Sequence, residues 1–214
     1  MPPLIFNPTL FIAESFFTLI TIILCLIIFL KTKESYDLTK HQGIKLFRNA
    51  FVFFGLSYLL RFIFMISRTF MDNGYYWREI MPYFILVLGY LSTTAIFYLL
   101  FSIIRKKFNQ KSLVLIGHII AVLISLLAFA MMSHLILLYI QSLLLILVII
   151  ISFIIHQKKS LIKTICVLIL IFWLINLWVI APGWLLPVEV KILFQIISII
   201  LFVWIYYKIS KWLK

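Results

Sequence analysis

Acidic side chains are scarce in this chain: six Asp and Glu stand against nineteen Lys and Arg in 214 residues. In a soluble protein such an imbalance points to nucleic acid. Here nearly all the basic residues fall in short stretches between long apolar runs. In that position they set membrane topology and attract anionic headgroups, so nucleic acid is not expected as a partner. Cysteine is nearly absent. Cys25 and Cys166 both lie within apolar runs, with no CxxC and no Cys/His cluster, which gives a redox pair or a structural metal no support. HExxH, GxSxG, GxxxxGK[ST] and clustered carboxylates are missing as well. No enzyme, no metal and no cofactor is therefore expected. The opening MPPLIFNP lacks the positive n-region of a cleavable signal peptide, so the first apolar run is expected to remain as a membrane helix.

What the chain has in excess is hydrophobic side chains, 65% of the total. Soluble domains run near 45–50%, so a water-facing shell cannot cover this composition. The expected class is an all-α membrane protein. A spanning helix needs about 20 mostly apolar residues. Seven segments qualify: Thr9–Leu30, Phe47–Phe70, Ile80–Ile104, Ser112–Met131, His134–Ile155, Leu161–Ala181 and Val188–Tyr207. The longest connection is Lys31–Leu46, which reads either as an amphipathic stretch along the interface or as a solvated basic loop with an early start to the second span. Residues 1–214 thus form one compact bundle of seven transmembrane helices.

Orientation follows from the basic residues. Five lie in the first connection and its flank (Lys31, Lys33, Lys40, Lys45, Arg48), four in 105–111, three in 158–163 and three in the tail. The opposite side has Arg68, Arg78 and Lys191. Fifteen against three places the N-terminus outside and the C-terminus in the cytoplasm of a cell-membrane protein. Tyr75, Tyr76, Trp77 and Trp184 on one side, and Tyr206, Tyr207 and Trp212 on the other, sit where amphipathic rings prefer the headgroup level.

One residue breaks the pattern. Arg61 lies well inside the second span, where a guanidinium costs about 2.5 kcal/mol or more unless it meets a counter-charge or water. Glu14, in the first span, is the one acid at a comparable depth in another span. Gln141, Asn176 and Gln195 lie at similar depths in spans five, six and seven. At ~1.5 Å per residue, five helices present their strongest polar group roughly 7–14 Å below the outer surface. Tyr58 and Tyr90 are further polar groups in spans two and three. The expected ligand-binding set is therefore Glu14, Tyr58, Arg61, Tyr90, Gln141, Asn176 and Gln195. The inner half offers much less. In span four, Gly117, Ala121 and Ser125 recur every four residues beside His118, which reads as a close-packing face carrying a hydrogen-bonded histidine.

Three function classes fit. A receptor- or sensor-like module would bind a small ligand in an outer polar pocket and relay a helix shift to a cytoplasmic partner. A small-solute transporter or channel would use the parallel 3+1+3 arrangement of spans one to three and five to seven. In topology that arrangement resembles the seven-helix sugar and vitamin carriers. Those carriers place prolines or a Pro-Gln pair in their first and fifth helices, and spans one and five here contain none. An accessory subunit of a larger membrane complex is the third.

Overall fold

The computed structural model describes residues 8–70, 74–104, 110–155, 161–180 and 187–212. They form seven helices: α1 (Pro8–Thr39), α2 (Gln42–Phe70), α3 (Gly74–Ile104), α4 (Gln110–Ala130), α5 (His134–Ile155), α6 (Leu161–Ile180) and α7 (Val188–Trp212). Six of them are long and apolar enough to cross a membrane, and in α6 the described apolar stretch, Thr164–Asn176, is shorter. Apolar runs of this length favour helix in lipid because every backbone donor and acceptor is then satisfied within the segment. The interfacial rings expected at Tyr75, Tyr76, Trp77, Trp184 and Trp212 lie outside the described side chains.

In the stretch Lys31–Leu46 the second helix starts early, as one of the two expected readings has it, but the loop or interfacial segment expected before it is helical. The stretch extends α1 to Thr39 and starts α2 at Gln42, leaving Lys40 and His41 as the turn. Packing explains the extension. Thr32 is buried and bonds back to the carbonyl of Ile28 at 2.7 Å, while Ile44, Leu46 and Phe47 are buried. The Arg48 guanidinium lies over the rings of Phe29 and Tyr36, at 5.5 and 5.2 Å. Helix–helix contact thus carries both helices past the end of the apolar run. Lys40 ends α1 in the left-handed region (φ 50°), its N–H donating to the carbonyl of Tyr36, an αL cap. Between α4 and α5, Met132 (φ 47°) does the same. There the N–H groups of Ser133 and Met132 reach the carbonyls of Ala128 and Phe129, the two bonds of a Schellman motif.

The order of packing decides the architecture. α1 packs on α2, α2 on α3, α3 on α5, α5 on α6, α6 on α7, and α7 back on α1. These six helices close a ring. α4 stands outside it, against α3 and α5. Advancing three places around the ring carries α1, α2 and α3 onto α5, α6 and α7, the neighbour relations of a parallel repeat about an axis along the bundle.

Small residues bring the outer helix close. Gly117, Ala121, Ser125 and Ala128 are all buried along one face of α4. A β-carbon on Gly117 would meet the Phe101 ring at 2.6 Å, and one on Gly89 of α3 would meet Ser125 at 3.2 Å. Beside this seam His118 engages both ring nitrogens: Nδ1 with the Tyr90 hydroxyl at 3.0 Å and Nε2 with the Tyr98 hydroxyl at 3.2 Å. The face expected from the spacing is the α3–α4 contact.

The ring is filled at its centre by aromatic side chains. Phe172, fully buried, meets Phe54, Phe202 and Tyr58 with centroids 5.8, 4.9 and 6.4 Å apart. A void of only about 30 Å³ remains among Phe51, Phe54, Leu145, Phe172, Trp173 and Phe202.

Candidate functional site

Above this plug, toward the end where α1 begins, the ring opens into a cavity of about 280 Å³. Five helices line it: α1 through Glu14, α2 through residues 57–65, α3 through 81–92, α5 through 137–141 and α6 through Trp173 and Asn176. Ser57, Tyr58 and Arg61 reach it together because steps of three and four residues share a helical face. The same spacing joins Trp173 to Asn176.

Amides and hydroxyls stitch the walls. Gln141 Nε2 on α5 donates to Ser92 Oγ at 2.6 Å and to Thr93 Oγ1 at 3.0 Å on α3. The Tyr58 hydroxyl on α2 donates to Asn176 Oδ1 across the ring at 3.2 Å, while Asn176 Nδ2 donates to the Phe172 carbonyl at 2.7 Å. Such interhelical bonds average only about 0.6 kcal/mol each in a membrane protein. They position the cavity more than they stabilise it. Ser57 Oγ is taken up by the backbone carbonyl of Phe54 at 2.7 Å, and so adds little free polarity to the wall.

The charged groups behave differently. Glu14 and Arg61 are both half-buried and both line the cavity, yet no ion pair joins them. The ion pair seen among the described residues is Lys40 with Asp37, at 3.6 Å on the exposed hairpin turn. A carboxylate and a guanidinium thus face one chamber without neutralising each other directly.

Of the seven residues expected to form the pocket, Glu14, Tyr58, Arg61, Gln141 and Asn176 line this cavity. Tyr90 and Gln195 do not. Tyr90 turns to His118 on α4, at the seam outside the ring. Gln195 is buried on α7, with no hydrogen-bond partner for either side-chain atom among the described residues, and α7 contributes nothing to the cavity wall. Its depth matches the others, but its direction around the bundle does not.

Sequence reasoning missed Ser92 and Trp173. Ser92 adjoins Thr93 and Thr94, so a run of three hydroxyl residues was the available signal. Trp173 is one turn before Asn176 on the same face. It lines both the cavity and the small void below, and its buried indole N–H has no partner among the described residues. It is the shared wall between chamber and plug.

No family model matches the chain, and no solved structure matches it. It is similar to a protein of Archaeoglobus fulgidus described as uncharacterized, 30% identical over 119 residues. The match covers 50% of this chain and 51% of that relative, so the chain spans about half the length of the relative it matches.

Proposed function

We propose that this protein is a receptor- or sensor-like integral membrane protein of the cell membrane. It has seven spans, an outside N-terminus and a cytoplasmic C-terminus, and it binds a small ligand in the upper, outward-facing cavity. One observation carries the reading: a chamber of about 280 Å³ gathers Glu14, Arg61, Tyr58, Gln141 and Asn176 from four of the five helices that line it and rests on a closed aromatic floor. Ionisable groups at membrane depth that face a cavity mark binding or transport pathways. A concave, largely apolar site with a few convergent polar groups is the usual form of a small-molecule site. The role is binding, not catalysis. The distribution of Lys and Arg supports the orientation, and the basic end supports contact with anionic headgroups. α1 has 32 residues, so at ~1.5 Å each it is about 48 Å long against a hydrocarbon core of about 30 Å. The α1–α2 hairpin therefore stands clear of the bilayer on the cytoplasmic side, where a separate partner protein would read a helix shift.

Orientation is tested by labelling. Cys25 and Cys166 are buried and should stay silent toward a membrane-impermeant maleimide. Glu189→Cys should label in intact cells, and Lys33→Cys only after permeabilisation. The reverse pattern overturns the assignment.

Ligand binding is tested with the purified protein against a panel of small metabolites, read as a rise in unfolding temperature. A ligand present at 100 times its Kd should stabilise by about 2.7 kcal/mol, and Leu88→Trp, which fills the cavity, should abolish that shift. Ligand stabilisation that survives Leu88→Trp would place the site elsewhere. The ring order favours a second reading, a small-solute carrier of the 3+1+3 kind. Uptake of the stabilising ligand into proteoliposomes would promote the carrier, and stabilisation without flux the receptor.

A further inference from the structure

We infer that the ligand of the upper cavity is a zwitterion with an apolar body, its anionic group held by Arg61 and its cationic group by Glu14. This rests on the cavity being the binding site proposed above.

The register of α1 against α2 sets the spacing of the two charges. The backbone of Gly55 meets Cys25 so closely that a β-carbon there would lie 3.1 Å from Cys25 Cβ. Two antiparallel helices hold the sum of facing residue numbers constant, here 80, so Arg61 is level with residue 19. Glu14 lies five residues nearer the upper end, about 7 Å along the axis. Phe17 and Tyr58, with ring centroids 6.0 Å apart, lie on the same α1–α2 seam, their long side chains meeting across helices whose backbones set the register at Gly55. The two side chains are offset and form no ion pair. Charge-assisted hydrogen bonds are about 2.8 Å long, and two of them plus a ligand's own pair of charged groups fit such an offset.

Energetics then select the ligand. Each charge costs about 2.5 kcal/mol or more at membrane depth without compensation. A neutral ligand would displace water and compensate neither. A singly charged ligand would compensate one and leave the other desolvated, the expensive case. A ligand bearing both signs compensates both at once. Most of the remaining wall is apolar, with Phe64, Phe84, Ile85, Leu88 and Leu137 among its residues. A dry cavity of about 150 Å³ holds benzene, so about 280 Å³ suits a molecule of roughly a dozen heavy atoms. A free hydrophobic amino acid has this chemistry, and so does the headgroup of a zwitterionic lipid.

The test uses the full chain, purified in detergent, with phenylalanine, leucine and methionine as probes. Their N-acetyl forms keep only the anion, and their amides keep only the cation. The zwitterions should bind at least tenfold more tightly than either derivative. Glu14→Gln should erase the preference over the N-acetyl forms, and Arg61→Gln the preference over the amides. Should Arg61→Gln fail to fold, Arg61→Lys keeps the charge but loses the bidentate fork, and should bind the zwitterions several-fold more weakly. A parallel arm compares nanodiscs of phosphatidylethanolamine with nanodiscs of phosphatidylglycerol. Stabilisation by phosphatidylethanolamine alone, lost in both charge variants, supports the inference with a lipid as the source. Neutral or singly charged metabolites that bind equally well to the wild type and to both charge variants would overturn the zwitterion and leave the binding site standing. Failure of every small molecule and both lipids to stabilise the wild type would overturn the site itself.

Discussion

Phe172→Ala should lower stability by about 3 kcal/mol and merge the void beneath the cavity with the cavity above it. Phe172 has no exposed surface and packs against Phe54, Tyr58 and Phe202 at the ring centre. Buried Phe→Ala changes cost about 3–5 kcal/mol in water-soluble cores. The lower end applies here, because the unfolded chain in lipid keeps its side chains out of water and only the packing and cavity terms remain. The neighbours are rings held by one another, so they cannot collapse far into the gap. Trp173 lines both spaces and would lose its backing. The measurement is reversible unfolding of the purified protein in mixed micelles. Phe172→Leu, which keeps part of the volume, should lose less than half as much as the alanine variant. An unchanged midpoint for the alanine variant would mean that the ring centre is not packed as described.

Gly117→Val should be almost as damaging, by the opposite mechanism. A β-carbon at position 117 would sit 2.6 and 2.8 Å from ring atoms of Phe101 and 3.4 Å from Phe97 Cβ. Phe101 is buried and stacked near Phe97, with centroids 5.9 Å apart, so the ring has little room to retreat. Valine would push α4 away from α3 and stretch the bonds from His118 to Tyr90 and Tyr98. Overpacking of this kind costs about 1–3 kcal/mol, and the lost hydrogen bonds bring the expected total to the upper end. Phe101→Leu in the same chain should recover at least half of the loss. If it recovers nothing, the clash at Phe101 is not what holds the helices apart.

Some of this could be read along the chain and some could not. The depth of a residue in a helix follows from counting, because each residue advances the helix by ~1.5 Å. That is why Glu14, Arg61, Gln141 and Asn176, chosen for sharing a layer, line one cavity. The small-residue face of α4 was legible for a similar reason: a four-residue period needs no knowledge of the partner. Direction around the axis was not legible. Gln195 shares the layer and lines no part of the cavity, and Tyr90 was lost to a histidine 28 positions away. Within Lys31–Leu46 the early start of the second helix was legible, but the run of α1 to Thr39 was not: charges there mask the buried Thr32, whose surroundings form only once α1 and α2 lie side by side.

By itself, then, the amino-acid order determined which segments are helical and apolar and at what level each polar group stands, since both are local properties of a rigid repeat. Only the tertiary structure decided that six helices close a ring, that α4 stays outside it, and that a carboxylate and a guanidinium open into the same space. Those outcomes depend on which faces meet. Side-chain shape settles that between helices far apart in the chain, through contacts such as Gly55 on Cys25 and Gly117 on Phe101.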